Sequence, residues 1–310
     1  MHKKVLIVGD RGFIGSSICE DSYFSQYALR FSSLNLQNDK FLFSKFLLEN
    51  QPSLILFFAG KPSFFGDSYH QTKENYYINK EFQEFIFHIS KQYGGAHFIY
   101  ASSSAIYDYF PNLDASENNI NFDFDFRFEA QDYTRVKFEG LKLCQDNFSN
   151  SSPTSTGLII SNVFGIKEMV NDKLPKGFIS QAIQRIYLAK QNRIPYIKFQ
   201  GHSETTRDFL YVDDLIDGIK FIVSAPQKYP VINIGSGHQN SVNEIANLIS
   251  KCFGFRGKII FEQKLPQIES RKSLNTKLLN NMGWQCKYSI EEAIGLQCEL
   301  YVNLMAAKKS

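Results

Sequence analysis

Tyr133 and Lys137 lie four residues apart in Asp132-Tyr133-Thr134-Arg135-Val136-Lys137-Phe138-Glu139. On a helix that spacing stacks the two side chains one turn apart on the same face. A phenol titrates near ~10 and is a poor proton donor or acceptor at neutral pH. A neighbouring ammonium stabilises the phenolate and lowers that value, which makes Tyr133 a usable general acid or base. The pair alone also fits a surface helix with an incidental Tyr and Lys, so what the upstream chain builds around it decides between the two readings.

The upstream chain alternates strands and helices. Val5-Leu6-Ile7-Val8 is a continuous apolar run, the pattern of a strand buried on both faces. It breaks at Gly9-Asp10-Arg11-Gly12-Phe13-Ile14-Gly15, after which Ser16-Ser17-Ile18-Cys19-Glu20 can begin a helix. Strand, glycine turn and helix together aim backbone N–H groups at a diphosphate. The spacing is Gly-x-x-Gly-x-x-Gly, looser than the tight dinucleotide fingerprint, and an ordinary strand-to-helix turn is the bland alternative.

The next strand is predicted over Tyr27-Ala28-Leu29-Arg30-Phe31. An acidic residue at its end would suit the ribose 2′-hydroxyl of NAD, whereas Arg suits a 2′-phosphate. Arg30, Phe31, Ser32 and Ser33 stand there, with Arg11 in the glycine turn. Two guanidinium groups that can clamp a phosphate favour NADP; two solvated arginines are the alternative.

Residues 39 to 50 carry helical apolar spacing and lead to the strand Leu54-Ile55-Leu56-Phe57-Phe58-Ala59-Gly60, whose small end suits close approach to a cofactor. A long helix is predicted over Glu74 to Gln92, with Asn79 inside it, and a strand over His97 to Ala101, ending in Ser102-Ser103-Ser104-Ala105-Ile106-Tyr107. Alternating strands and helices imply a parallel, doubly wound α/β sheet with ligands at the carboxyl ends of its strands. The glycine turn, Ala59-Gly60 and the serine triplet all fall at such ends. A serine hydroxyl there can bond a substrate oxygen or Tyr133; a plain polar turn is the alternative.

Together the Gly9/Gly12/Gly15 turn, Asn79, Ser103 within Ser-Ser-Ser-Ala-Ile-Tyr, and Tyr133-x-x-x-Lys137 resemble the extended short-chain dehydrogenase/reductase family of sugar-nucleotide epimerases, dehydratases and reductases. Within that family the turn Gly9-Asp10-Arg11-Gly12, Leu29-Arg30 and Leu34-Asn35-Leu36 are similar to the NADP-dependent GDP-fucose synthase branch. The resemblance implies a Rossmann domain and a smaller α/β substrate-binding domain. It implies that Tyr133 moves the proton at the sugar oxygen, that Lys137 holds the nicotinamide ribose and lowers the Tyr133 pKa, and that Ser103 polarises the carbonyl. The cofactor contacts it implies are Gly9, Arg11, Gly12, Phe13, Ile14, Gly15, Arg30, Asn38, Ala59, Gly60, Asn79, Ala101, Tyr133 and Lys137.

Farther along, Asn162-Val163-Phe164-Gly165 resembles a motif whose Asn meets the nucleotide diphosphate, and Arg207-Asp208-Phe209-Leu210-Tyr211-Val212-Asp213-Asp214 resembles the family's Arg-Asp-Phe-x-Tyr-Val-Asp-Asp signature. Arg is a planar, permanently charged fork suited to phosphate, so Arg207 is assigned the substrate diphosphate, with a salt bridge to Asp213 or Asp214 as the structural alternative. Arg271 takes the place of a second arginine, Ser104 joins Ser103 at the substrate, and Met282-Gly283-Trp284 resembles a structural turn. The alternating run from Asn119 to Phe128 fits an extended cover over the site or a half-buried edge strand equally well.

Departures from the family narrow the expected reaction. Dehydratases carry Asp-Glu directly after the catalytic hydroxyl, where this chain has Ser104-Ala105. GDP-fucose synthase places a Cys at the Ala105 position and a His in the region of Pro175-Lys176-Gly177; this chain has neither. What remains is hydride transfer at one carbon, namely NADPH-dependent reduction of the C4 ketone of a nucleotide-diphosphate 4-keto-6-deoxysugar. A C4 epimerase that retains NAD is the nearest rival, and a non-catalytic dinucleotide-sensing regulator the rival of another class.

Composition agrees with such a protein. Over 310 residues, 43% hydrophobic and 21% charged content suits a globular chain, and a net charge of +3 without a basic run gives nucleic acid or a membrane surface no electrostatic hold. Cys19, Cys144, Cys252, Cys286 and Cys298 form no Cys-x-x-Cys pair, so structural zinc and a disulfide framework are not expected. Nothing approaches the ~18 apolar residues of a membrane span, and the short N-terminal apolar run is too brief for a signal peptide; a cytoplasmic protein is expected. The resemblance further implies a homodimer through helices around 74–92 and 132–148. Residues 1–162 with about 206–232 are expected to form the NADP-binding domain, and 163–205 with about 233–310 the sugar-nucleotide domain.

Overall fold

The computed structural model describes residues 4–30, 40–61, 69–93, 95–110, 114–124, 132–148, 154–170, 175, 177–263 and 273–308. In chain order the first half runs β1 (Val5–Val8), α1 (Phe13–Glu20), α2 (Ser22–Ser25), β2 (Ala28–Arg30), α3 (Lys40–Asn50), β3 (Leu54–Phe57), α4 (Tyr69–Gln92), β4 (His97–Ser103), α5 (Asp132–Asp146) and β5 (Ser155–Ile160). The second half runs β6 (Asn162–Phe164), α6 (Phe178–Gln191), β7 (Tyr196–Gln200), β8 (Thr206–Arg207), β9 (Phe209–Tyr211), α7 (Val212–Ser224), β10 (Val231–Ile234), β11 (Asn240–Ser241), α8 (Val242–Phe253), β12 (Lys258–Glu262), α9 (Lys277–Asn281) and α10 (Ile290–Ala307). Among the described residues no helix is long and apolar enough to cross a membrane.

The chain divides into two compact units, Met1–Ile160 with Lys220–Asn233, and Ser161–Ile219 with Ile234–Ser310. The first takes a shorter return from the second half than residues 206–232. Its six-stranded sheet has the order β10-β5-β4-β3-β1-β2. The paired strands β1–β2, β1–β3, β3–β4 and β4–β5 all run parallel, which is the doubly wound α/β fold expected of the sequence. The apolar runs explain it: β1 and β3 are buried at every position, because parallel strands covered by helices have no solvent face. Leu6, Val8, Ile55, Phe57, Phe98 and Tyr100 pack with Phe43 and Leu47 of α3 and Ile86 of α4 into one core.

Helix α5 seats on this sheet because Gly140 faces it. A Cβ at Gly140 would fall 2.2 Å from Cζ of Tyr100, so only glycine lets the helix approach that ring. The Tyr100 hydroxyl donates to Gln83 Oε1 at 2.8 Å, which satisfies a phenol that burial holds well above its ordinary pKa.

The second unit contains the parallel pair β7–β12 and the parallel pair β6–β9. Helices α8 and α10 each begin with a reciprocal cap, Ser241 with Glu244 and Ser289 with Glu292, which satisfies N–H groups that have no partner within the helix. Trp284, in the expected Met282-Gly283-Trp284 turn, donates its indole N–H to Asp217 at 2.9 Å.

Two sequence expectations change. Helix α4 starts at Tyr69 rather than near Glu74. The alternating run from Asn119 is not a strand where it is described: a 3₁₀ turn spans Glu117–Asn119, Ile120 is buried, and the Phe122 ring stacks on Phe138 of α5 at 5.8 Å. Over the described part the alternation comes from Ile120 and Phe122 packing out of turns. Residues 125–128 of that run lie outside the described residues.

Candidate active site

In the first unit the glycine turn is shaped by contact with its surroundings. Gly9 has φ 101°, and a Cβ there would lie 2.7 Å from the Ala59 nitrogen. At Gly15 a Cβ would lie 2.1 Å from the Gly9 carbonyl oxygen, so α1 descends directly onto the turn. Gly12 donates its N–H to Gly9 at 3.0 Å and caps α1 from an extended conformation. The N–H groups of Phe13, Ile14 and Gly15 then occupy the first helical turn, where no carbonyl inside the helix accepts them. A diphosphate fits that end of the helix, and a side chain at either glycine would fill the cradle.

Arg30 ends β2, the strand beside β1, paired in register with Ile7. It is exposed, and its guanidinium donates to the Cys19 carbonyl at 3.4 Å. Arg11 is exposed in the glycine turn. Asn38 lies outside the described residues.

The end of β3 is pinned by Asn79 of α4. Its Oδ1 accepts the Lys61 N–H at 2.7 Å and its Nδ2 donates to the Lys61 carbonyl at 2.8 Å. This two-point clamp holds Ala59-Gly60 in place. From the Cβ position at Gly60, Asn79 Oδ1 lies 3.5 Å away and Lys137 Nζ 4.0 Å away, so the end of β3, the middle of α4 and the first turns of α5 converge.

Tyr133 and Lys137 share the first turns of α5, and Lys137 Nζ lies 5.9 Å from the centroid of the Tyr133 ring. The same ammonium donates to the carbonyl of Ala101 at 2.8 Å. Desolvation brings the Lys137 pKa down to about 8. At neutral pH it is still mostly charged, and a cation beside a phenol favours the phenolate.

The three serines take different tasks. Ser102 is buried, and its hydroxyl donates to the Lys137 backbone carbonyl at 3.0 Å. Ser103 is half-buried and accepts the Ala105 N–H at 3.3 Å as the cap of a 3₁₀ turn over Ser104–Tyr109. Accepting uses an oxygen lone pair and leaves the hydroxyl proton for another partner. Ser104 is half-buried within that turn, and Ala105 is buried, with no acid or base at its position.

Sequence reasoning missed what fixes the turn. The Tyr107 hydroxyl donates to Asn233 Oδ1 at 2.9 Å, Asn233 Nδ2 donates to the Ala115 carbonyl at 2.8 Å, and the Asn233 N–H donates to Glu117 at 2.7 Å. Asn233 is fully buried on β10. Burial raises the Glu117 pKa. An Asn inside the apolar run Val231-Ile232-Asn233-Ile234 was the available signal, since a buried amide needs partners.

In the second unit the β6–β9 pairing places Asn162 opposite Phe209. Its side-chain amide donates to the Asp208 carbonyl at 3.0 Å, so Asn162 sits beside the Arg207-Asp208 step. The Arg207 guanidinium donates to the Thr206 carbonyl at 2.7 Å. Asp208, which sequence reasoning left without a role, is 3% exposed and accepts bonds from the Ser236 N–H and hydroxyl, the Gly237 N–H and the Leu274 N–H. Asp214 accepts the Lys287 N–H at 2.8 Å and so braces the turn after Trp284. A cavity of about 690 Å³ in this unit is bordered by Tyr211, His238, Trp284 and Tyr288; Asn162 and Arg207 are not among its lining residues. Arg271 lies outside the described residues.

A family model described as the NAD dependent epimerase/dehydratase family matches residues 5–235. The chain is 26% identical to the GDP-L-fucose synthase of Sinorhizobium fredii (strain NBRC 101917 / NGR234) over 319 residues, covering 98% of this chain and 97% of that protein. Among solved structures, a GDP-mannoheptose C4 reductase from Campylobacter jejuni with NADP bound superposes with TM-score 0.79 at 19% identity, covering 97% of this chain and 98% of the other. A UDP-glucose 4-epimerase from Thermotoga maritima with UDP-glucose also reaches TM-score 0.79, at 20% identity, covering 97% and 99%.

Proposed function

The chain belongs to the NAD-dependent epimerase/dehydratase family, and on that premise we propose that it reduces the C4 ketone of a nucleotide-diphosphate 4-keto-6-deoxysugar with NADPH. The observation that carries the reading is Lys137, held to Ala101 at 2.8 Å, close to the Tyr133 ring and to the Gly60 turn that Asn79 clamps. This is the arrangement a proton-donating phenol needs. NADPH, when bound, supplies the hydride to the ketone carbon. Ser103 donates its hydroxyl proton to the ketone oxygen as charge develops there, Tyr133 protonates the resulting alkoxide, and the Lys137 cation stabilises the phenolate left behind. Arg207 and Asn162 are assigned to the substrate diphosphate.

Three features support these choices. An exposed arginine, Arg30, ends β2 where NAD would call for an acid, and a second, Arg11, stands exposed in the glycine turn. Ala105 offers no acid or base next to Ser103. The NADP-bound C4 reductase among the structural neighbours catalyses a step of this class. The Thermotoga epimerase superposes equally well, so the competing reading is a C4 epimerase that keeps NAD bound. α4 and α5 are proposed as the surface through which two copies associate.

Purified protein is incubated with NADPH and nucleotide-linked 4-keto-6-deoxysugars, and absorbance of the reduced cofactor is followed. Stoichiometric oxidation is expected. Tyr133→Phe should lower kcat by roughly 10²–10⁴-fold while NADPH still binds. Tightly retained NAD and no net turnover would transfer the assignment to the epimerase. No NADPH consumption, with Tyr133→Phe indistinguishable from the parent, ends the enzymatic account.

A further inference from the structure

Cys252 and Cys298 are 46 positions apart in sequence, yet helices α8 and α10, which carry them, pack together and bring the two thiols within each other's electrostatic reach. Cys252 is exposed in the last turn of α8, and Cys298 is buried in α10 at 3% exposure. Aromatic rings fix the neighbourhood. Tyr187 of α6 meets Phe253, next to Cys252, edge-on at 5.5 Å, and meets Tyr301, one turn beyond Cys298, edge-on at 5.3 Å. The α8–α10 separation at the thiols is thus set by a packed core.

We propose that Cys252 and Cys298 form an oxidative modification site, in which a small soluble disulfide such as oxidised glutathione converts them into an intramolecular disulfide. This goes beyond the reductase reading and does not depend on it. The exposed Cys252 attacks first, as its thiolate: its sulfur bonds to one sulfur of the small disulfide, the S–S bond breaks, and one thiolate departs and takes up a proton. Cys298 then gives up its proton and bonds to the Cys252 sulfur, expelling the second small thiol. Two protein thiols are oxidised and one disulfide is reduced to two thiols, so electrons and protons balance. The order follows from access, and burial, which pushes the Cys298 thiol pKa up, reinforces it.

The full chain is treated with oxidised glutathione, quenched with an alkylating agent, digested with trypsin and analysed by mass. The expected product joins the segment Cys252–Arg256 to the segment Tyr288–Lys308, is lighter by two hydrogens than the two free segments, and disappears on treatment with dithiothreitol. Cys298→Ser should stop the reaction halfway and leave one glutathione on Cys252. Cys252→Ser should leave Cys298 free. A persistent glutathione adduct on Cys252 in the parent chain, or modification at Cys286 with 252 and 298 both free, overturns the proposal. Circular dichroism of each variant checks that it is folded before the mass result is read.

Discussion

The Lys137 ammonium meets the carbonyl of Ala101 at 2.8 Å, and this bond ties the helix that carries Tyr133 to the strand that ends at Ser103. The bond is made at a cost, because desolvation draws the Lys137 pKa from 10.5 to about 8. A lysine whose folded pKa lies below its unfolded value binds its proton less readily in the native state. Its charge therefore opposes folding below pH ~8, and the penalty fades as pH rises from about 8 toward 10.5.

Lys137→Met tests that linkage. At pH 7 the substitution removes a penalty of roughly 3 kcal/mol and strands the Ala101 carbonyl at a cost of about 1–2 kcal/mol, so the variant should be slightly more stable and inactive. The decisive reading is the pH series from denaturant unfolding. The parent should gain on the variant between pH 8 and 10.5. Parallel curves would show that the lysine is not desolvated.

Gly15→Ala should fail at the cofactor. The new methyl would sit 2.1 Å from the Gly9 carbonyl, backbone against side chain with neither able to swing aside. Helix α1 must lift off the turn, at about 2–4 kcal/mol, and NADPH affinity should fall at least tenfold by fluorescence titration. An unchanged affinity would mean that this turn does not cradle the diphosphate.

The adjacent serines separate structure from chemistry. Ser102→Ala deletes a buried hydrogen bond to the Lys137 carbonyl and should cost about 1–2 kcal/mol of stability with kcat changed less than about threefold. Ser103→Ala should weigh on the chemistry instead, with kcat down by roughly 10²-fold and only the cap of the 3₁₀ turn lost, about 0.5–1 kcal/mol. Reversed roles would move the hydroxyl assignment from Ser103 to Ser102.

The sheet was legible because its strands declare themselves: Val5–Val8 and Leu54–Phe57 are apolar at every position, which only burial on both faces requires. The Tyr133/Lys137 spacing was legible because helical geometry alone brings the residues together. What stayed hidden depends on the backbone or on tertiary partners. The acceptor for Lys137 is a main-chain carbonyl, which no side-chain pattern marks. The start of α4 is polar, so no apolar period announces it. The run from Asn119 imitates a strand because Ile120 and Phe122 find apolar neighbours from turns, one of them Phe138. Asp208 stood beside an arginine and invited no separate explanation, although a carboxylate directly before the buried strand β9 demanded partners.

Those partners make Asp208 the sharpest test in the second unit. Its Oδ1 accepts the Ser236 N–H at 2.9 Å and the Ser236 hydroxyl at 2.8 Å, and its Oδ2 accepts the Gly237 and Leu274 N–H groups at 3.1 Å each. Both oxygens are therefore used as acceptors. Asp208→Asn keeps the shape but turns one oxygen into an NH₂ group, and in either orientation that group faces N–H donors. The repulsion and the lost bonds should cost about 2–4 kcal/mol and loosen residues 235–237 and 274 against β9. Because Arg207 precedes Asp208 on the same segment, binding of a nucleotide-diphosphate sugar should weaken while NADPH binding to the first unit stays within twofold of the parent. Calorimetric titration with each ligand separates the two. A variant that loses both affinities equally would show general unfolding, and one that loses neither would remove Arg207 from the substrate site.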